Sequence, residues 1–338
     1  MARKTFRKVI TDPEKWKNVN PKNKKLMVDF LNEKNTRSSD LTIKGYESDL
    51  RIFFTWNLDN NNNKFFVDLK KLEVSLFFSY CVEELKWGSA RFGRMRSALS
   101  SMSIFIEKFL DDKYPDFRNV ILKSIDVMPK TVRREKTILS EGQINGLLLY
   151  LIKKKMYQQA CWLALAVASG SRFAELLRFM VSDIDETNLV FDDIFIETSP
   201  IKTKGRTKEG KLQRKYVIKD IFLKYFHAWL PERNKIILKN NVEDHGYIFI
   251  KSDGSPMTQG AVRGWVRLFE KYLGGDFYPH CLRHYLVTYL SRTGVQPDLI
   301  IELMGWTSSE MYKIYNDLSA KDREWEGLKD LKLKLAEK

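Results

Sequence analysis

From Asn23 to about Asp126 the apolar positions recur at steps of three and four. Ile43, Tyr46, Leu50, Phe53 and Phe54 form one such stripe, which predicts a helix that Ser39 or Thr42 can cap. Asp59-Asn60-Asn61-Asn62-Asn63-Lys64 reads as a polar loop, and Leu69 to Trp87 and Ser89 to Phe109 read as two further helices. Periodicity then lapses. Met128-Pro129-Lys130-Thr131-Val132-Arg133-Arg134-Glu135-Lys136 carries charge without an apolar face and reads as a linker. Ser140 and Gln143 form a capping box that opens helical segments from about Glu141 to Ser169, and Gly170 turns the chain out of them. After that the period shortens. Val190-Phe191, Ile194-Phe195-Ile196 and Lys215-Tyr216-Val217-Ile218 look like strands flanking a loop from Lys202 to Gln213. Thr258 caps a later helix bearing Arg263, Trp265 and Arg267, and Pro279 precedes another that starts at His280. The expected fold is mainly α with a small antiparallel β-sheet.

At 338 residues the chain exceeds one comfortable core, so two domains are expected. The 58 Lys and Arg outnumber the 43 Asp and Glu, giving a formal net charge of +15 that favours a polyanionic partner. No apolar run approaches the roughly 20 residues needed to span a bilayer, and the first eight residues have no apolar signal region. A cytoplasmic protein without a membrane partner is expected. Cys81, Cys161 and Cys281 form no CxxC pair and sit in apolar surroundings, so they read as core thiols and no metal is expected. Residues 1–24 are rich in Lys and Arg. Asp12-Pro13 and Asn20-Pro21 read there as helix breakers, leaving an unpacked basic arm.

The candidate chemistry lies in three stretches. His280 and Arg283, three apart on a helix, leave the same face. Arg172, in Ser169-Gly170-Ser171-Arg172-Phe173-Ala174-Glu175-Leu176, supplies a second guanidinium. Two guanidinium forks and an imidazole make a phosphate cradle, because the planar donors match phosphate oxygens and keep their charge at any working pH. Gly305-Trp306 follows, then Tyr315 as nucleophile, with Tyr312 as its rival three residues earlier.

These motifs, in this order, resemble the tyrosine recombinase/integrase family. Ser169 to Leu176 matches the family's first-arginine motif, His280 to His284 its HxLRH motif, and Gly305-Trp306 with Tyr315 its terminal motif. Thr42 to Phe53 matches, more weakly, the TxxxYxxDLxxF opening of the family's core-binding domain. The resemblance implies a basic arm over residues 1–24, a helical core-binding domain over 25–128, a linker over 129–138, an α+β catalytic domain over 139–316 and a tail over 317–338 that docks on a neighbouring subunit. It implies Arg172, Lys202, His280, Arg283, Trp306 and Tyr315 as the catalytic set. Lys204 is the alternative lysine, and Glu175 and His284 support the set from behind. Trp306 stands where histidine is commoner; an indole donates one hydrogen bond and cannot shuttle a proton. Arg91, Arg94, Arg96, Arg263 and Arg267 are the DNA-contact candidates, as cations grouped at helix ends and faces.

The implied activity is site-specific recombination. The chain would cut and rejoin double-stranded DNA at inverted repeats, as a homotetramer, through a 3′-phosphotyrosine and a Holliday junction. No metal, ATP or other cofactor is expected, since the phosphotyrosine retains the bond energy. Alternatives are a type IB topoisomerase, which reseals the same strand, and a silent sequence-specific DNA-binding protein. A metal-dependent integrase would need clustered carboxylates; Asp183, Asp185, Asp192 and Asp193 fall instead around a turn and its strand.

Overall fold

The computed structural model describes residues 11–121, 125–129, 137–203, 210–274, 277–310 and 312. The chain divides into two compact units that meet in sequence between residues 134 and 135. Most of the elements are helical, as the periodicity predicts.

The first unit contains α1 (Pro13–Asn18), α2 (Pro21–Asn35), α3 (Asp40–Asn60), α4 (Lys71–Glu83) and α5 (Ser89–Phe109). Here the expectation of an unpacked arm over residues 1–24 is corrected for its described part. Asp12 and Asn20 do not break helices; their side chains accept from the amides of Glu14 and Lys22 and cap α1 and α2, with proline at the first helical position. Proline there loses nothing, because the first-turn N–H groups have no helical partner. The asparagine run anchors the same corner. Asn63 Oδ1 accepts from the Asn20 amide at 2.8 Å, and Asn23 and Asn57 both donate to the Lys64 carbonyl. Asn62 and Asn63 adopt positive φ there, a conformation asparagine tolerates. Ser39 is the cap of α3. Inward stripes from α2 to α5 join one aromatic core, in which Phe53 and Phe77 meet edge to face at 4.9 Å.

The second unit is organised on α7 (Tyr157–Ser169), which follows α6 (Glu141–Lys153). Every residue of α7 from Ala160 to Ser169 is buried. Such all-round burial needs neighbours on each side; α6, α9 (Lys219–Asn240) and α11 (His280–Arg292) supply them. The Ser140–Gln143 capping box forms as predicted. Strands β1 (Leu189–Val190), β2 (Phe195–Glu197) and β5 (Tyr216–Ile218) make an antiparallel sheet in the order β1-β2-β5. The stretch read as a loop contains two more strands: β3 (Ile201–Thr203) pairs with β4 (Lys211–Gln213), setting Lys202 opposite Leu212 and Thr203 opposite Lys211. α8 (Phe173–Leu176) carries the first-arginine motif. α10 (Gln259–Leu273), capped by Thr258, and α12 (Pro297–Met304) complete the unit. No described helix is long and apolar enough to cross a membrane.

Gly170 ends α7 in the left-handed conformation, φ 56°, and a Cβ there would lie 2.9 Å from the Met304 sulfur and 3.0 Å from Leu286. Gly170→Ala is expected to lower unfolding free energy by about 1–3 kcal/mol through backbone strain and overlap. Urea denaturation of the full chain measures it; an unchanged midpoint would contradict this packing.

Candidate active site

Arg283 lies on α11 with 3% of its surface exposed. A buried guanidinium requires acceptors, and it finds two main-chain carbonyls: Nη1 donates to Gly170 at 2.7 Å and Nη2 to Met304 at 2.8 Å. These carbonyls belong to the turn before Arg172 and the end of α12. One side chain therefore ties together the three stretches that the motifs single out. The Arg283 guanidinium carbon also lies 5.3 Å from the centre of the Trp306 ring, within cation–π range.

Arg172 caps α8, and its side chain is 39% exposed. Glu175, one turn on, braces it twice: Oε1 accepts from Nη1 at 2.8 Å and Oε2 from the Arg172 amide at 3.1 Å. Burial opposes ionisation of the Glu175 carboxyl, but Lys215 and the Arg172 hydrogen bonds outweigh it and hold the pKa down to about 2. Lys215 itself is 2% exposed, with Nζ 3.1 Å from Glu175 Oε2. Burial lowers its pKa and Glu175 opposes that shift. The Lys215 amine and the Arg172 guanidinium both reach the one carboxylate at bonding distance.

Arg172, Thr203, Lys211, Gln213, Gly305 and Trp306 border one cavity of about 280 Å³. Gly305 has φ 63°, and a Cβ there would overlap the Gln213 side-chain amide. Glycine thus lets β4 press against the turn that presents Trp306. Lys202 is exposed between buried Ile201 and Thr203, so it leaves β3 on the other face, and its carbonyl accepts from Arg178. Lys211, on β4, borders the cavity. Lys211 is one of the loop lysines, with Lys202, Lys204 and Lys208, that sequence alone cannot separate, and nothing in the sequence marks Gln213 or Lys215 as site residues. Lys204 and Tyr315 lie outside the described residues.

His280 is exposed at the start of α11, and its ring meets that of buried His284 edge to face at 4.7 Å. Tyr312 is 8% exposed, and its hydroxyl lies 3.2 Å from Ser291 Oγ. That oxygen is engaged inside the core. Asp183 and Asp185 accept local turn hydrogen bonds, from Met180 N and Thr187 respectively.

In the helical unit, Asp49 is fully buried and carries two arginines. Arg94 binds it through Nε and Nη2, each at 3.0 Å, and Arg91 reaches it at 2.7 Å while stacking 4.2 Å from the centre of Trp87. Arg96 Nε donates to the Ile125 carbonyl at 2.7 Å. Of the Asp49 pair, Arg94 is the more open, with 56% of its side chain exposed against 24% for Arg91. Arg263 and Arg267 are both exposed on α10, away from buried Val262 and Phe269.

The structure therefore joins a helical unit to an α+β unit whose cavity is bordered by Arg172, Lys211 and Trp306. A sequence profile of the phage integrase family matches residues 137–322, and the chain belongs to that family, the tyrosine recombinases. It is 26% identical over 283 residues to the SPbeta prophage-derived recombinase-like protein YomM of Bacillus subtilis, covering 81% of this chain and 80% of that protein. It is 23% identical to the tyrosine recombinase XerD of Oceanobacillus iheyensis over 83% of this chain and 89% of the other. Among solved structures, the Tn1549 transposon integrase in complex with transposon right end DNA shares the fold, with TM-score 0.64 and 18% identity over 88% of this chain and 97% of that one.

The depressed Glu175 pKa has a stability consequence. A carboxyl that ionises more readily in the fold stabilises it above the ordinary pKa of 4.5, and that contribution disappears as pH falls towards about 2. Comparing wild type with Glu175→Gln by urea unfolding, the stability difference is expected to be full above pH 4.5 and to shrink below it. A difference independent of pH would mean that the carboxylate is not so held.

Proposed function

We propose that this chain is a site-specific recombinase that cuts and rejoins double-stranded DNA through a 3′-phosphotyrosine at Tyr315. The observation that carries the reading is the Arg283 staple, which gathers Arg172 and Trp306 on one cavity and keeps a buried positive charge behind it. A pentavalent phosphorane needs fixed cations and donors already aimed at its oxygens. Arg172 meets the phosphate directly, Arg283 adds its charge from the interior, and the Trp306 N–H is the further donor.

Tyr315 Oη attacks phosphorus and the P–O5′ bond breaks. Free tyrosine is only about 0.1% phenolate at neutral pH, so His280 accepts the phenolic proton as the bond forms. A lysine of the β3–β4 hairpin protonates the departing 5′ oxygen; Lys202, Lys204 and Lys211 are the candidates. The products are a 3′-phosphotyrosine and a free 5′ hydroxyl, and the reverse reaction with another strand's hydroxyl rejoins DNA without ATP or metal. Exchange between two duplexes breaks four strands. With one Tyr315 per chain, four copies must act together, passing through a Holliday junction at sites arranged as inverted repeats. Tyr312 is the weaker nucleophile candidate because its hydroxyl faces Ser291 in the core.

Purified protein is expected to form a covalent adduct with nicked suicide duplexes in EDTA, retained in Tyr312→Phe and lost in Tyr315→Phe. DNA binding without any adduct would favour the silent binding protein, and resealing without strand exchange the topoisomerase. In the helical unit, Arg94→Ala is expected to weaken duplex binding and to reduce the slope of log K against log salt by about 1. Arg91→Ala should chiefly lower stability, since that side chain is the more buried of the two. Fluorescence anisotropy across a salt series separates these outcomes.

A further inference from the structure

Lys215 has no role in the chemistry above, although it is a charged side chain with 2% exposure beside two arginines. Burying an ammonium there is costly, and an apolar residue would fill the same space at less cost. Its main chain is also clamped: the Lys215 amide donates to Thr198 Oγ1 at 3.0 Å and its carbonyl accepts from the Thr198 amide at 2.9 Å. The ammonium is therefore delivered to a fixed point, 3.1 Å from Glu175 Oε2.

That placement decides how Arg172 binds Glu175. A carboxylate and a guanidinium left alone in a buried site favour the two-bond, fork-on-fork arrangement. Among the described residues, Lys215 and the Arg172 main-chain amide share Oε2, and the guanidinium is held through Nη1 on Oε1. The rest of the fork stays available to the cavity. We propose that Lys215 is a positioning residue for strand cleavage: by satisfying Glu175 it keeps Arg172 in a one-bond clamp and turned towards the phosphate. Without it, Glu175 would draw the guanidinium inward as its sole counter-ion. This inference rests on the recombinase reading.

The test uses the full chain and suicide duplexes with an ordinary or a 5′-bridging phosphorothiolate linkage, whose thiolate leaves without needing a proton. Lys215→Met is expected to slow cleavage at saturating protein by about 100-fold, the lower end of the range for losing a transition-state donor. Duplex affinity should change by no more than about threefold, since one of many phosphate contacts is altered. The loss should be equal on both substrates, and Lys215→Met should add nothing to Arg172→Ala. Restoration on the phosphorothiolate would overturn the proposal, making Lys215 the proton donor, as would full loss on top of Arg172→Ala. A wild-type rate in Lys215→Met would also overturn it.

If Lys215→Met does not fold, Lys215→Met/Glu175→Gln removes both buried charges at once. The same phosphorothiolate comparison on it decides between positioning and proton donation. If the wild-type chain forms no adduct, the recombinase reading fails by itself. The clamp is then read from duplex binding, where Arg172→Ala should weaken the wild type but not Lys215→Met. Equal weakening in both backgrounds would discard it.

Discussion

The second unit depends on the desolvated guanidinium of Arg283. Two carbonyls accept from the buried Arg283, and they lie 113 and 21 residues away in sequence. Because a buried cation without acceptors is costly, these hydrogen bonds form a junction that couples the ends of α7 and α12 to the packing of α11. Glycine at 170 is part of the same constraint, since its left-handed turn presents the carbonyl and its missing Cβ admits the Met304 sulfur. Arg172 and Trp306 follow these two carbonyls closely in the chain, so their approach to one cavity is a consequence of the junction.

A second device recurs in both units. A buried carboxylate holds an arginine whose outer surface remains open: Glu175 braces Arg172, and Asp49 braces Arg94. Exposed arginines lose considerable rotamer entropy on binding a polyanion. Prior attachment to a fixed carboxylate reduces that loss while the remaining donors stay available. Each carboxylate also neutralises part of the cationic cluster, so the arginines can be close together before a phosphate is present.

The helical framework was legible from the chain because it is set locally. Ser39, Ser140 and Thr258 cap the helices they were expected to cap, and the stripe through Leu50, Phe53 and Phe54 is the one that enters the core. The misreading at Asp12-Pro13 and Asn20-Pro21 has a local cause too. A proline preceded by a capping side chain starts a helix, and long-range contacts, those of Asn63 and Lys64 and the burial of Val19 among them, show that this corner is packed.

The order and spacing of the motifs around Arg172, His280, Arg283 and Trp306, together with the periodicity, determined the family and the helical plan, because helix phase and capping are properties of neighbouring residues. The tertiary structure alone decided which cations are used inwardly and which remain open. It made Arg283 a staple, placed Lys211 at the cavity and Lys202 on the far side of β3, and buried Lys215 against Glu175. A lysine in a short strand looks the same in sequence whether it meets water or a carboxylate. The difference lies in strand register and in the desolvation cost of a partner some forty residues away, and neither is written in local pattern.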